Sequence, residues 1–105
     1  MVNVVLEKDI QRSILDYLAY KRVFHWRNNT GAFAGESKGV RRFVRFGSVG
    51  SPDIFAMRDG TIYGIEVKRS SGKQSEAQRL FQFDFENAGG VYRIARSIDD
   101  IADLF

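Results

Sequence analysis

Three residues that could do chemistry together, Asp53, Glu66 and Lys68, stand in "GSPDIFAMRDGTIYGIEVKRS", two apolar-rich runs around an Asp59-Gly60 pair. A strand buried on both faces would carry Val or Ile at those positions. With Asp59-Gly60 as the tip of a two-residue hairpin, counting outward sets Ile65 opposite Ile54 and Glu66 opposite Asp53. The two carboxylates then become cross-strand neighbours with Cβ atoms about 4.5–5.5 Å apart, and like charges so placed are destabilising unless something positive lies between them. Glu66 and Lys68, two residues apart, share that face at a spacing of roughly 6.5–7 Å, while Ile65 and Val67 point to the opposite, core-facing side. An acid, an acid and an amine converge. Hard oxygen ligands without His or Cys nearby suit Mg²⁺ or Mn²⁺, usually held by one or two carboxylates together with water and a substrate phosphate. Such an ion can polarise a phosphoryl oxygen and generate a hydroxide nucleophile, and Lys68 could orient the attacking water or stabilise the charge that builds in the transition state. The alternative is structural: Asp53 as a turn-exit residue, with Glu66 and Lys68 an exposed charge pair on a solvated strand face.

The elements that must position these residues follow from periodicity and punctuation. From Val4 to about Tyr20, Leu6, Ile10, Ile14, Tyr17 and Leu18 recur at steps of three and four, predicting an amphipathic helix with Asn3 as its N-cap. "RVFHW" (22–26) and "VRRFVRF" (40–46) read as strands, separated by "NNTGAFAGESKG", whose Gly and Asn mark a loop. The hairpin is reached through "GSVGSP", where Pro52 fixes φ and has no amide to give to a ladder. "SSGKQSEAQRLFQFDFENAGG" alternates locally like a strand, yet Ala77, Phe81, Phe85 and Ala88 keep helical spacing. Ser75 with Gln78 matches a capping box and Gly89 fits a C-terminal stop, so this segment is predicted helical. "VYRIA" (91–95) reads as a last strand and "SIDDIADLF" as a short closing helix capped by Ser97. The expected class is α/β, in the order α-β-β-β-β-α-β-α, with no internal repeat or linker.

At 105 residues and 44% hydrophobic, the chain can bury one modest core, so residues 1–105 are expected to form a single domain. Sixteen Lys and Arg against thirteen Asp and Glu give a net charge of +3, concentrated in "KGVRRFVRF" and "EVKRSSGK", which favours a polyanionic partner. The absence of cysteine excludes a disulfide framework, a thiol nucleophile and a thiolate zinc site. The single histidine, His25, excludes any site needing two imidazoles, including that of a His-Asn-His nuclease. No apolar stretch approaches the roughly 20 residues of a membrane helix, and the N-terminus turns charged too soon for a signal peptide, so the expected place of action is the cytoplasm.

"GSPDIFAM", "YGIEVKRS" and "KQSEAQ", preceded by "WRNNTGA" and a helix containing Glu7, resemble the VRR-Nuc family, the virus-type replication-repair nucleases of the PD-(D/E)xK superfamily. The similarity runs in order from about residue 7 to residue 96. It implies a restriction-endonuclease-like fold, a mixed central sheet flanked by helices, and metal-dependent cleavage of DNA phosphodiesters with Mg²⁺ or Mn²⁺. Carried over by position, Asp53 is the acid of the "PD" element, and Glu66 and Lys68 are the "ExK" acid and lysine. Val67 would lend its backbone carbonyl to the metal, Gln78 matches the glutamine that follows, with Gln74 the other candidate, and Glu7 matches an acid that approaches the metal. The resemblance also implies a homodimer acting on branched or four-way DNA in DNA repair, in the cytoplasm of a bacterial or phage-infected host cell.

Several of these residues have a second reading. Gln78 can be explained by its capping-box bond alone, and Glu7 by a helix dipole that favours first-turn acids. His25 reads as an ordinary hydrogen-bonding histidine. Arg27 and Asn28 could hold a phosphate or simply end a strand with turn chemistry; Arg41, Arg42 and Arg45 could reach DNA or solvate an edge strand; Lys73 belongs to the second basic group. Phe83 falls opposite the apolar stripe of its helix, which suggests a partner surface or a different helix phase. Two functions from different classes remain: a structure-selective DNA endonuclease, and a non-catalytic nucleic-acid-binding or interaction domain that keeps the fold but not the chemistry, against which the intact Asp53, Glu66 and Lys68 argue.

Overall fold

Helix α1 (Glu7–Tyr20) forms where the apolar period is most regular, and its buried stripe is Ile10, Ile14 and Leu18. In the computed structural model, which describes residues 5–28, 31–37, 40–46 and 49–105 (31–37 and 40–46 by backbone alone), it starts later than the sequence suggests. Leu6, extended at φ −83° and ψ 151°, is the N-cap residue and makes no side-chain cap; Asn3 and Val4 lie outside the described residues.

The chain continues through β1 (Phe24–Arg27), β2 (Gly31–Ser37), β3 (Val40–Phe46), β4 (Ile54–Arg58), β5 (Thr61–Val67), α2 (Glu76–Asn87) and β6 (Val91–Ala95), then a 3-10 turn at Ile98–Asp100. Four strands make one mixed sheet in the order β1-β4-β5-β6: β1–β4 and β4–β5 are antiparallel, β5–β6 parallel, and α2 supplies the crossover that a parallel neighbour requires. Two expectations are corrected. "GAFAGES", expected as loop, is strand β2, paired with β3 from Gly31 opposite Phe46 to Ser37 opposite Val40; Gly and Ala are weak strand formers, and only the cross-strand ladder makes that segment extended. The closing helix is a 3-10 turn. Ser97 makes no cap bond there; instead Asp100 Oδ2 accepts from the Arg96 amide at 2.8 Å, and the Arg93 guanidinium donates to the Asp100 carbonyl and the Asp103 carboxylate, pinning the segment to β6.

The alternation of β4 and β5 divides the sheet. Ile54, Ala56, Ile65 and Val67 join Ile10, Ile14 and Leu18 of α1, with Ala95 and Ile101, in one buried cluster. The opposite side is aromatic. Phe55 meets Trp26 at 5.5 Å and Phe85 of α2 at 5.9 Å between ring centroids, and Phe85 lies near-parallel to Phe81 at 5.6 Å. Helix α2 thus packs on the face away from α1, on the predicted Ala77/Phe81/Phe85 stripe, although Ala88 is exposed as its C-cap. The Ser75–Gln78 capping box forms as expected, and Gly89 follows the helix at φ +101°. Among the described residues no helix is long and apolar enough to cross a membrane.

Candidate active site

The hairpin turn sets the register on which the site depends. Asp59 and Gly60 both have positive φ, 52° and 81°, as a two-residue primed turn requires, and Arg58 pairs with Thr61 through to Ile54 with Ile65. One step further, Asp53 comes opposite Glu66. Asp53 has left regular strand geometry but is tied on both sides: its carbonyl accepts from the Asn28 amide at 2.7 Å, and its Oδ2 accepts from the Val67 amide at 2.8 Å.

Two devices hold the segment before it. Gly50, at φ +84°, lies so close to the first turn of α2 that a Cβ there would stand 2.3 Å from the Ala77 carbonyl oxygen, so only glycine fits on grounds of both space and backbone. Asn28 donates from Nδ2 to Ser51 Oγ at 2.8 Å and to the Pro52 carbonyl at 2.9 Å. The Gly/Pro-rich lead into Asp53 is thereby clamped between β1 and α2. Gly64 contributes space on β5, since a Cβ there would press on Pro52 Cγ at 3.0 Å.

Glu66 is 4% exposed, on the side of the sheet opposite Ile65 and Val67. Its Oε2 accepts from Gln78 Nε2 at 2.9 Å and lies 3.6 Å from Lys68 Nζ; its Oε1 is buried without a hydrogen-bond partner. Burial first, and the facing Asp53 carboxylate second, push Glu66 up to about 8, against the pull of Lys68. A buried carboxylate oxygen with no donor is costly, and two facing carboxylates resolve their conflict in one of two ways: they share a proton or they share a cation. The two carboxylates are hard oxygen donors, a set that suits a small divalent ion between them as well as a proton.

Gln78 holds both of its readings at once. Its Oε1 accepts from the Ser75 amide at 2.8 Å while Ser75 Oγ accepts from the Gln78 amide at 3.1 Å, and this leaves the Nε2 end to reach Glu66. The capping bond therefore orients the carboxamide. Gln74 is one layer out: its Nε2 donates to Gln82 Oε1 at 2.8 Å and to the Tyr92 hydroxyl at 3.3 Å. Burial, with the Glu66 and Asp53 charges adding to it, pushes the Tyr92 phenol up to about 12, so it stays a neutral hydrogen-bonding group.

The structure thus brings together Asp53, Glu66, Lys68, Gln78 and the backbone of Val67. Glu7 is not gathered with them: it is exposed in the first turn of α1, where acids are favoured by the helix dipole, and among the described residues no three His, Cys, Asp or Glu side chains come together as a metal-holding group. Asn28, expected as a DNA contact, spends its amide donors on the clamp. Arg27 and Lys73 are exposed, and the side chains of Arg41, Arg42 and Arg45 lie outside the described residues. His25 bonds locally, Nδ1 donating to the Val23 carbonyl at 2.7 Å. The clamp by Asn28 and Ser51 and the Gln74–Tyr92 layer escape sequence reading. The one available signal is register: pairing "FHWR" with "IFAM" so that Arg27 meets Ile54 sets Asn28 beside Asp53. No family model matches the chain, and no curated protein matches it.

Proposed function

We propose that the chain is a Mg²⁺- or Mn²⁺-dependent endonuclease that hydrolyses DNA phosphodiesters, a VRR-Nuc-type nuclease on a restriction-endonuclease-like fold. The observation that carries this reading is the buried Glu66 carboxylate, with Oε1 unpartnered beside Asp53 while Oε2 is held by Gln78 and Lys68. Asp53, Glu66 and the Val67 carbonyl would hold the cation, which when bound supplies Lewis acidity towards a phosphoryl oxygen. The chain's own groups do the rest. The Val67 amide fixes the Asp53 carboxylate through Oδ2, the Gln78 carboxamide fixes Glu66 through Oε2, and the Lys68 ammonium stands where it can donate to charge developing on the phosphorane-like transition state.

The substrate proposed is branched, four-way DNA, cut by a homodimer in DNA repair. In support, a small basic domain cannot enclose a duplex, and α2 exposes Leu80 and Phe83 at 61% and 65%. The test is a panel of end-labelled DNAs, comprising duplex, nicked, flapped and four-way forms, incubated with Mg²⁺ or Mn²⁺ and with chelator. Cleavage is expected on the branched forms and only with metal. A folded protein that binds these DNAs and cuts none of them would be a non-catalytic nucleic-acid-binding domain instead. Sedimentation decides the dimer: a 12.0 kDa species persisting at high concentration would exclude it.

A further inference from the structure

On the α1 side of the strand ends, a cleft of about 760 Å³ opens between the start of α1, the turn after β5 and the segment after β6. Its size is within the roughly 300–1,000 Å³ typical of small-ligand pockets. Its lining includes the apolar Val5, Ile10 and Ile98 and two arginines, Arg69 and Arg96. Asp9 and Asp99 stand there as well. Two acids against two arginines disfavour a phosphate held inside the cleft. They suit a flat, apolar-faced ring whose edge carries N–H donors, with a phosphate outside at the rim.

The cleft shares a wall with the candidate active site. Arg69 directly follows Lys68, and the turn folds back so that the Gly72 amide donates to the Arg69 carbonyl at 2.9 Å. A Cβ on Gly72 would lie 3.4 Å from Lys68 Cδ, so this turn rests against the lysine stem on one side. Arg96 holds it from the other, Nη2 donating to the Gly72 carbonyl at 3.0 Å. Among the described residues the exposed Arg69 guanidinium has no hydrogen-bonded partner.

We infer that this cleft receives one unpaired nucleobase of the DNA strand being cut, the nucleotide beside the scissile phosphate, with its own phosphate held at the rim by Arg69 and Arg96. The inference rests on the nuclease reading and adds to it a physical source of structure selectivity. Drawing a base out of the stack costs least where it is already unpaired, so a domain that must seat one base in a side cleft acts at branch points and bulges.

The probe is a duplex with one unpaired 2-aminopurine nucleotide, and the same duplex with an abasic site in its place. Fluorescence is followed on binding to an Asp53→Asn protein, which leaves the DNA intact; affinity and cleavage are measured with the unsubstituted protein. The emission is expected to change on binding, the abasic DNA to bind about tenfold more weakly, and Ser97→Trp, which fills the cleft from an exposed position with no cap bond, to abolish both differences. Ser13→Trp, from the opposite wall, repeats the test if Ser97→Trp fails to fold by circular dichroism. Equal binding of the two DNAs by the unsubstituted protein, or a base preference that survives a folded cleft-filling variant, overturns the inference. Metal-dependent cleavage that is indifferent to the base would leave the nuclease reading standing without the cleft. A base preference in a protein that cuts nothing would keep the cleft as a base-binding site and overturn the nuclease.

Discussion

On the α1 side of β5, Ile65 and Val67 pack into an apolar cluster that leaves no polar group to satisfy; on the α2 side, one residue along, Glu66 and Lys68 are drawn out of water beside Asp53. Both sides are buried by the same strand and the same pleat. The first follows the rule that folds proteins, removing about 25 cal/mol of free energy per Å² of apolar surface covered. The second works against it, burying one carboxylate oxygen with no donor and forcing two acids together. A fold that needed only stability would carry an aliphatic residue at position 66. The difference marks the α2 side as the place where burial works against stability, and it is there that the proposed site lies.

Asp53→Asn and Glu66→Gln break the comparison most sharply. Each is expected to abolish metal-dependent cleavage while the protein stays folded, because each keeps the shape and removes a carboxylate that would hold the metal. A nuclease assay at fixed metal concentration checks this, and near-normal cleavage by either variant rules the hairpin site out. The opposite side should answer the opposite way. Ile65→Ala, at a position with no exposure, should cost about 2–5 kcal/mol by denaturant unfolding, with cleavage kept in whatever fraction remains folded.

Lys68→Ala should lower the rate at saturating DNA by about 10²–10³-fold and leave affinity nearly unchanged, since its task is in the transition state. A weakened affinity with an intact rate would make it a ground-state phosphate contact.

The pH dependence of stability sharpens the comparison further. Glu66 keeps its proton up to about 8 in the folded chain and releases it in the ordinary carboxylate range when unfolded. Between those values the folded state binds more protons, so stability without metal should fall as pH rises. Glu66→Gln should flatten that fall, its amide donating towards Asp53 at every pH. Thermal melts from pH 5 to 9 measure it, and an unchanged slope in the variant would mean that Glu66 is already ionised in the folded protein. Last and smallest, Gln78→Ala should cost about 1 kcal/mol through the lost capping-box bond from the Ser75 amide and also slow cleavage, because the Gln78 carboxamide is the group that donates to Glu66. Equal stability loss with an unchanged rate would leave Gln78 a helix-capping residue alone.

The hairpin and its register were legible because a turn of Asp59 and Gly60 admits only one pairing, and period two then decides which side each residue takes. The capping box and the two helices were legible for the same local reason: the groups that specify them lie within four residues of one another. What the chain order could not decide was whatever depended on partners far away. "GAFAGES" is extended only because "VRRFVRF" returns beside it. Asn28 braces Asp53 only because β1 joins the edge of β4, and Glu7 stays apart from the acidic pair despite its matching position on α1. Which residues could share a face follows from local order along the chain. Tertiary structure alone decided which were taken out of water, because desolvation depends on what covers a residue: α2, held by Gly50 and Phe85, buries Glu66 and makes an ordinary strand charge a strongly perturbed one.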